Sequence, residues 1–228
     1  MQLDWCVGEL MKTLDRLDLA EKTLVIFCSD NGPVMDDGYK DGALEQLGAH
    51  RAAGALTGGK YSVYEGGTRT PLITRWKGKV EPGLSDNVVC TIDFAASLAA
   101  MTGQDLADDA CVDSINLLDA FLGNANATGR DELVQQDNGN NGTFGLRVGD
   151  WKLHKYGNNK ANNTVVEQTL TRTKMPDFLL FNLKDDPAEK TNVLKDNPKV
   201  AEEMKQRLEK IIADGRTRPV AVEPAAAR

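Results

Sequence analysis

The sequence predicts an α/β chain in which part of a mixed sheet, flanked by helices, is followed by a small α+β C-terminal subdomain of antiparallel sheet and one helix. Three observations carry this. The apolar run Leu24 to Cys28 is short and rich in branched and aromatic residues, as a strand buried on both faces should be, and a helical apolar period precedes it. Several strand-like runs separated by turn residues fill the stretch from Glu132 to Leu183. A helix opening on Asn197-Pro198 closes the pattern. The implied divisions are 1–123, 124–214 and a tail, 215–228.

Leu3, Leu10, Met11, Leu14 and Leu17 recur at helical spacing and predict an amphipathic helix packed on the sheet. Asp18 to Lys22 turns the chain into the strand at Thr23. Residues 32–60 read as a glycine-rich loop too long for a plain connector, the kind that usually carries function or is disordered. Pro71 to Trp76 is a second strand, sharing a sheet with Leu24 to Cys28. Gly78 to Asp86 is a turn-rich connection, and Thr91 to Met101 a helix stopped by Thr102-Gly103. Ser114 to Leu122 reads as a short helix with Ser114 at its N-cap.

Beyond the polar linker Asn124 to Gly129 the expected strands are Glu132 to Gln136, Thr143 to Val148, Trp151 to Tyr156 and Phe178 to Leu183. Gly149-Asp150 is the clearest hairpin turn. Asn197 caps a helix running to Ala213, with Pro198 in its first turn, and the Pro- and Ala-rich tail frays.

Composition is that of a soluble globular protein: 228 residues, 41% hydrophobic and 27% charged, enough for a sizeable core. A net charge of −7 argues against a general nucleic-acid binder. No apolar run reaches the roughly 18–20 residues of a membrane span. Cys6, Cys28, Cys90 and Cys111 are scattered, with no C-x-x-C, and with only His50 and His154 they make no zinc pattern. They read as small buried hydrophobes.

Asp30 and Asn31 sit at the carboxyl end of the first strand, where open α/β sheets bind ligands. A carboxylate beside an amide carbonyl suits a hard cation such as Ca²⁺. Lys60, on the glycine-rich stretch Gly58-Gly59-Lys60, suits an anionic group. Gly54-x-x-x-x-Gly59-Lys60 also matches the start of a nucleotide-binding P-loop, yet Tyr61 replaces the required Ser or Thr and no buried strand precedes Gly54. Asp36, Asp37 and Asp41 do not fall in EF-hand register, and Asn126, Asn141 and Asn162 are glycosylation acceptors of the kind that an Asn- and Thr-rich chain produces by chance.

Ser29-Asp30-Asn31-Gly32 at a strand end, then Gly59-Lys60, then Tyr64-Glu65-Gly66-Gly67-Thr68-Arg69-Thr70-Pro71 and the strand Ile73 to Trp76 resemble the C-terminal half of a type I sulfatase. That family comprises the arylsulfatases and glycosaminoglycan sulfatases of the alkaline phosphatase superfamily. Weaker matches are Gly145 to Leu153, Leu180-Phe181-Asn182-Leu183, Asp186-Pro187-Ala188-Glu189 and Asn192. The family's nucleophile motif, C-x-P-S-R or S-x-P-x-R, does not occur, and neither does its first pair of metal-binding aspartates.

The resemblance implies a sulfuric ester hydrolase whose formylglycine, made from Cys or Ser, lies on a missing N-terminal half. Asp30 and Asn31 are then half of a Ca²⁺ shell, and Lys60 is the catalytic residue that touches the sulfate and ester oxygens. The expected substrate is a sulfated small molecule or carbohydrate, with His50 and Arg51 as further substrate contacts. Export to the periplasm or cell exterior, or to a lysosome, follows from the same resemblance. Glu65 and Arg69 are expected to form a buried pair holding the loop, Gly66 and Gly67 to adopt conformations closed to other residues, and His154 to be structural. Two alternatives stand beside this: a non-catalytic module that keeps the fold, and a phosphoryl-transfer hydrolase of the same superfamily, told apart by its nucleophile.

Overall fold

A fifteen-residue amphipathic helix, α1 (Gln2–Arg16), leads through a 3₁₀ turn at Ala20–Lys22 into β1 (Val25–Cys28). The computed structural model describes residues 2–34, 40–137, 142–156 and 176–220. The chain divides into two compact units, one made of residues 1–28, 71–130 and the chain from 218 on, the other of residues 29–70 and 131–217.

In the first unit, β1 pairs antiparallel with β2 (Leu72–Arg75), Val25 opposite Arg75 and Cys28 opposite Leu72, so the two expected strands share a sheet. β1 is not buried on both faces as expected: it is half-buried, and Cys28 is exposed. A two-stranded ribbon with few partners cannot cover both of its surfaces. For the same reason α1 buries no residue, and Leu3, Trp5, Leu10 and Leu17 are all more than half exposed. The cysteines depart from expectation likewise, Cys6, Cys28 and Cys111 being exposed and Cys90 half-buried.

A 3₁₀ turn at Thr91–Asp93 starts α4 (Phe94–Met101), which ends as expected where the Thr102 hydroxyl donates to the Leu98 and Ala99 carbonyls. The helix expected from Ser114 is shorter, α5 (Leu118–Phe121), and Ser114 does not cap it. Its hydroxyl instead accepts from the Ala96 amide, as Ser97 accepts from Leu117. The residues between are held by a buried ion pair: Arg130 donates to both Asp93 oxygens at 2.8 and 2.5 Å and to the Asp113 carbonyl, while Asp93 also accepts from the amides of Cys90 and Ile115. Arg218 is tied down rather than frayed, its guanidinium donating to the Ala107 and Ala110 carbonyls.

The second unit is built on a four-stranded antiparallel sheet in the order β3 (Glu132–Gln136), β4 (Phe144–Val148), β5 (Trp151–Lys155), β6 (Phe178–Asn182). The β4–β5 hairpin turns on Gly149, at φ +55°, and Asp150, with Val148 opposite Trp151. The helix α6 (Pro198–Asp214) lays Ala201, Met204, Leu208 and Ile211 on one face of the sheet against Leu146, Leu153 and Leu180. That spacing is one helical stripe meeting one side of period-2 strands. Asn197 does not cap α6 with its side chain, whose amide donates back to the Val193 carbonyl. The loop region contains α2 (Ala43–Leu47), begun by the Asp41 carboxylate accepting from the Ala43 amide, and α3 (Glu65–Thr68). Asp36, Asp37, Asn141 and Asn162 lie outside the described residues.

Candidate functional site

The stretch from Thr57 to Thr68 folds on itself through backbone bonds: Gly66 donates to Thr57, Gly67 to Tyr64, Ser62 to Gly59 and Arg69 to Glu65. Gly66 and Gly67 are required by close approach rather than by conformation, since neither has a positive φ. A Cβ on Gly67 would lie 2.3 Å from the Ser62 carbonyl oxygen, and one on Gly66 2.4 Å from that of Thr57. Tyr61, by contrast, is held at φ +74°, an uncommon region for a bulky side chain.

Two further bonds fasten this segment to the turn after β1. Gly32 donates to the Gly67 carbonyl at 2.8 Å, and Lys60 donates its amide to the Pro33 carbonyl at 3.0 Å. Asp30-Asn31 and Lys60 are therefore brought to neighbouring stretches of backbone. Asp30 is exposed; Asn31 is half-buried, with its Nδ2 donating to the Gly32 carbonyl and its own carbonyl accepting from the Ser29 hydroxyl. Lys60 is half-buried, its Nζ 5.0 Å from the Tyr61 ring centroid. His50 and Arg51 are exposed beyond α2, and Arg51 accepts the Gly54 amide through its carbonyl.

The donors Asp30 and Asn31 suit a hard cation in kind. They fall short in number, because among the described residues no three His, Cys, Asp or Glu side chains gather where an ion could sit.

The unexpected feature lies under the lysine segment. Glu65 does not pair with Arg69, which is exposed; its carboxylate accepts from Lys152 at 2.7 Å, with Arg147 3.9 Å away. Glu189 accepts the Glu65 amide at 2.5 Å on one oxygen, and on the other faces His154 Nε2 at 2.9 Å and Lys152 Nζ at 3.4 Å. The Lys152, His154 and Glu189 side chains are fully buried. Tyr64 caps the cluster edge-on to His154, ring centroids 4.5 Å apart, and packs with Tyr156, Leu179 and Phe181.

Burial lowers the His154 pKa from its ordinary 6.5, against the opposing pull of Glu189. A neutral His154 donates from Nε2 to Glu189, which agrees with Nδ1 having no hydrogen-bond partner among the described residues. For Glu189 burial acts upward, but Lys152, the His154 hydrogen bond and the Glu65 amide together hold it below its ordinary 4.5. The two directions agree on one state, a carboxylate facing a neutral imidazole.

In the sequence Glu65, Lys152 and Glu189 fall in blocks that match the family and His154 reads as structural, but nothing local shows that the four meet in one buried cluster. Trp151-Lys152-Leu153-His154-Lys155 alternates as a strand with one wet face should, and that face is the one the Thr57–Thr68 segment covers.

Two family descriptions match the chain, sulfatase over residues 1–104 and the N-sulphoglucosamine sulphohydrolase C-terminal family over residues 59–214. An N-acetylgalactosamine-6-O-sulfatase of Bacteroides thetaiotaomicron is 43% identical over 211 residues, 92% of this chain and 40% of that protein. Arylsulfatase A of Homo sapiens is 30% identical over 203 residues, 85% of this chain and 38% of that protein. A solved sulfatase structure from work on glycosaminoglycan metabolism in Bacteroides thetaiotaomicron superposes with a TM-score of 0.80 at 41% identity, covering 93% of this chain and 43% of the other. The chain belongs to the sulfatase family and carries its C-terminal part. It spans about 40% of the length of these two relatives.

Proposed function

We infer that this chain is the C-terminal portion of a sulfuric ester hydrolase and supplies Lys60 and two metal-binding oxygens to a site completed by residues N-terminal to it in the longer protein. The observation behind this reading is the pair of backbone bonds, Gly32 to Gly67 and Lys60 to Pro33, that fasten the Asp30-Asn31 turn to the lysine segment. An ammonium there places positive charge where a sulfate group and its departing ester oxygen gather negative charge, and such stabilisation is a large part of ester cleavage. Asp30 and Asn31 would hold Ca²⁺ together with donors from elsewhere, and the ion would add Lewis-acid stabilisation of the sulfate oxygens. Formylglycine, expected on the N-terminal portion, supplies the covalent nucleophile.

A sulfated carbohydrate is the proposed substrate, in keeping with the N-acetylgalactosamine-6-O-sulfatase among the relatives. His50 and Arg51 are exposed groups placed before Lys60 in the chain and are proposed to contact a further anionic group of the sugar. The proposed divisions remain 1–123 and 124–214, and the proposed location is the periplasm, cell exterior or lysosome. Among the described residues no helix is long and apolar enough to cross a membrane.

Calorimetric titration with Ca²⁺ tests the site. The chain by itself has two donors of the roughly 6–8 that calcium takes, so weak or no binding is expected. Joined to a matching N-terminal half, the protein should bind Ca²⁺ and lose that binding on Asp30→Ala. Micromolar affinity unaffected by Asp30→Ala would refute the assignment, as would release of nitrophenol from an aryl sulfate by this chain alone.

A further inference from the structure

Between Thr57 and Thr68 the buried side chains are Ser62, Val63, Tyr64 and Glu65, and the rest of the segment's buried backbone is glycine. Tyr64 packs on Tyr156, Leu179 and Phe181, and beside that contact the segment is fastened by charge. Glu65 lies under Lys152, and its amide lies on Glu189. Glu189 is itself held at φ +54°, a left-handed conformation that a non-glycine residue keeps only where its surroundings over-determine it. It accepts from Glu65 and faces His154 and Lys152, three partners on two oxygens. One residue earlier, the Ala188 carbonyl accepts from the Thr57 hydroxyl at 2.5 Å, the same two segments joined a second time.

We propose that Glu65, Lys152, His154 and Glu189 form a positioning device that sets the Lys60 segment, and through it the Asp30-Asn31 turn, against the four-stranded sheet. The route is continuous. β5 carries Lys152 and His154; these hold Glu189 and Glu65; Glu65 opens α3; the Gly67 carbonyl at its far end accepts from Gly32, and the Lys60 amide reaches Pro33. A buried ionic cluster of this kind is a poor source of stability, because desolvation offsets much of its attraction, but it fixes geometry sharply. Breaking it frees a segment, whereas the apolar layer between the sheet and α6 contains none of its members. None of the four residues touches substrate in this account; they act through Lys60, so the proposal rests on the reading of Lys60 as the anion-binding residue.

The test uses the chain itself with isosteric Glu189→Gln, the milder Thr57→Val and, as control, Lys60→Ala. Amide hydrogen exchange is read at Gly32, Gly66 and Gly67 and, separately, at Leu146, Leu153 and Leu180. Inorganic sulfate is titrated by the chemical shift of the Gly59 and Lys60 amides. With Glu189→Gln, exchange at the three glycines should accelerate while the three leucines stay protected, because local and global opening are separable. If the segment is then seated only a tenth of the time, apparent sulfate affinity falls about tenfold with Lys60 still in place. Thr57→Val should move both readouts in the same direction by less. Acceleration at glycines and leucines alike, or at neither, would overturn the proposal, since a merely structural cluster opens the whole sheet and an idle one opens nothing. Unchanged sulfate affinity in Lys60→Ala would overturn the reading of Lys60 instead, a failure visible in that variant alone.

Discussion

His154 donates from a fully buried ring to Glu189, and the cost of charging that ring inside the protein makes stability depend on pH. Its folded pKa lies below the ordinary 6.5, so above that value both folded and unfolded chains are neutral there and its contribution is complete. As pH falls below 6.5 the unfolded chain takes a proton that the folded chain refuses, and stability is lost by up to about 1.4 kcal/mol per pH unit. Glu189, also held low, extends the loss as pH falls through and below its ordinary 4.5. Denaturant melts at pH 7 and pH 5.5 should therefore differ, and His154→Gln should remove most of the difference; an unchanged slope in that variant would show that another group titrates. Lys152 makes a second prediction at this scale. Replacing it with Met leaves two buried carboxylates facing each other and should cost about 3–5 kcal/mol, whereas Lys152→Met combined with Glu65→Gln should cost less than Lys152→Met alone. Urea melts of both variants decide this.

At the scale of elements, the lysine segment is a glycine structure made by contact. Gly67 has backbone oxygens at 2.3 and 2.4 Å from the position of a Cβ, with no flexible side chain to give way. Gly67→Ala should thus cost about 1–3 kcal/mol, and should open the segment before the sheet. Gly8, inside α1 with nothing within 4 Å, is the matching control, where alanine should gain about 0.5–1 kcal/mol. Thermal melts of the two variants shifting in the same direction would contradict this account.

Much at this scale was legible in the sequence. The turn Gly149-Asp150, the four strands it organises and the helix opening on Asn197-Pro198 follow from local period and turn chemistry, so they appear where expected. The turn and lysine blocks at Asp30-Asn31 and Lys60 could be picked out too, because a strand end and a glycine-rich run are local features. The burial of Lys152 could not, because it depends on a segment far off in sequence that covers the polar face of β5. The close approaches at Gly66 and Gly67, and the pairing of Glu65 with Lys152 rather than Arg69, likewise depend on tertiary neighbours that no periodicity encodes.

At the scale of the whole molecule, the first unit has apolar surface that its own elements do not cover. Trp5 is 64% exposed, Leu3 63% and Ile73 60%, alongside an exposed Cys28 at the end of β1. Apolar groups on α1 and an open strand edge favour association. Sedimentation of the isolated chain should show concentration-dependent species larger than its 24.8 kDa, reduced by Trp5→Glu with Leu10→Glu. A monodisperse monomer at all concentrations would mean that this surface is not adhesive. In the longer protein this surface is the proposed seat of the N-terminal portion; the sequence contains Lys60, the proposed anion contact, and Asp30 and Asn31, the proposed metal donors, and no C-x-P-S-R or S-x-P-x-R nucleophile motif.

The most direct measurement is release of nitrophenol from an aryl sulfate by the protein joined to a matching N-terminal half, with and without Lys60→Ala. Removing one charge-stabilising donor from a reaction of this type costs about 10²–10³ in kcat, so a loss of that size is the predicted result, with the chain alone inactive. Undiminished turnover by the joined Lys60→Ala protein would contradict the account.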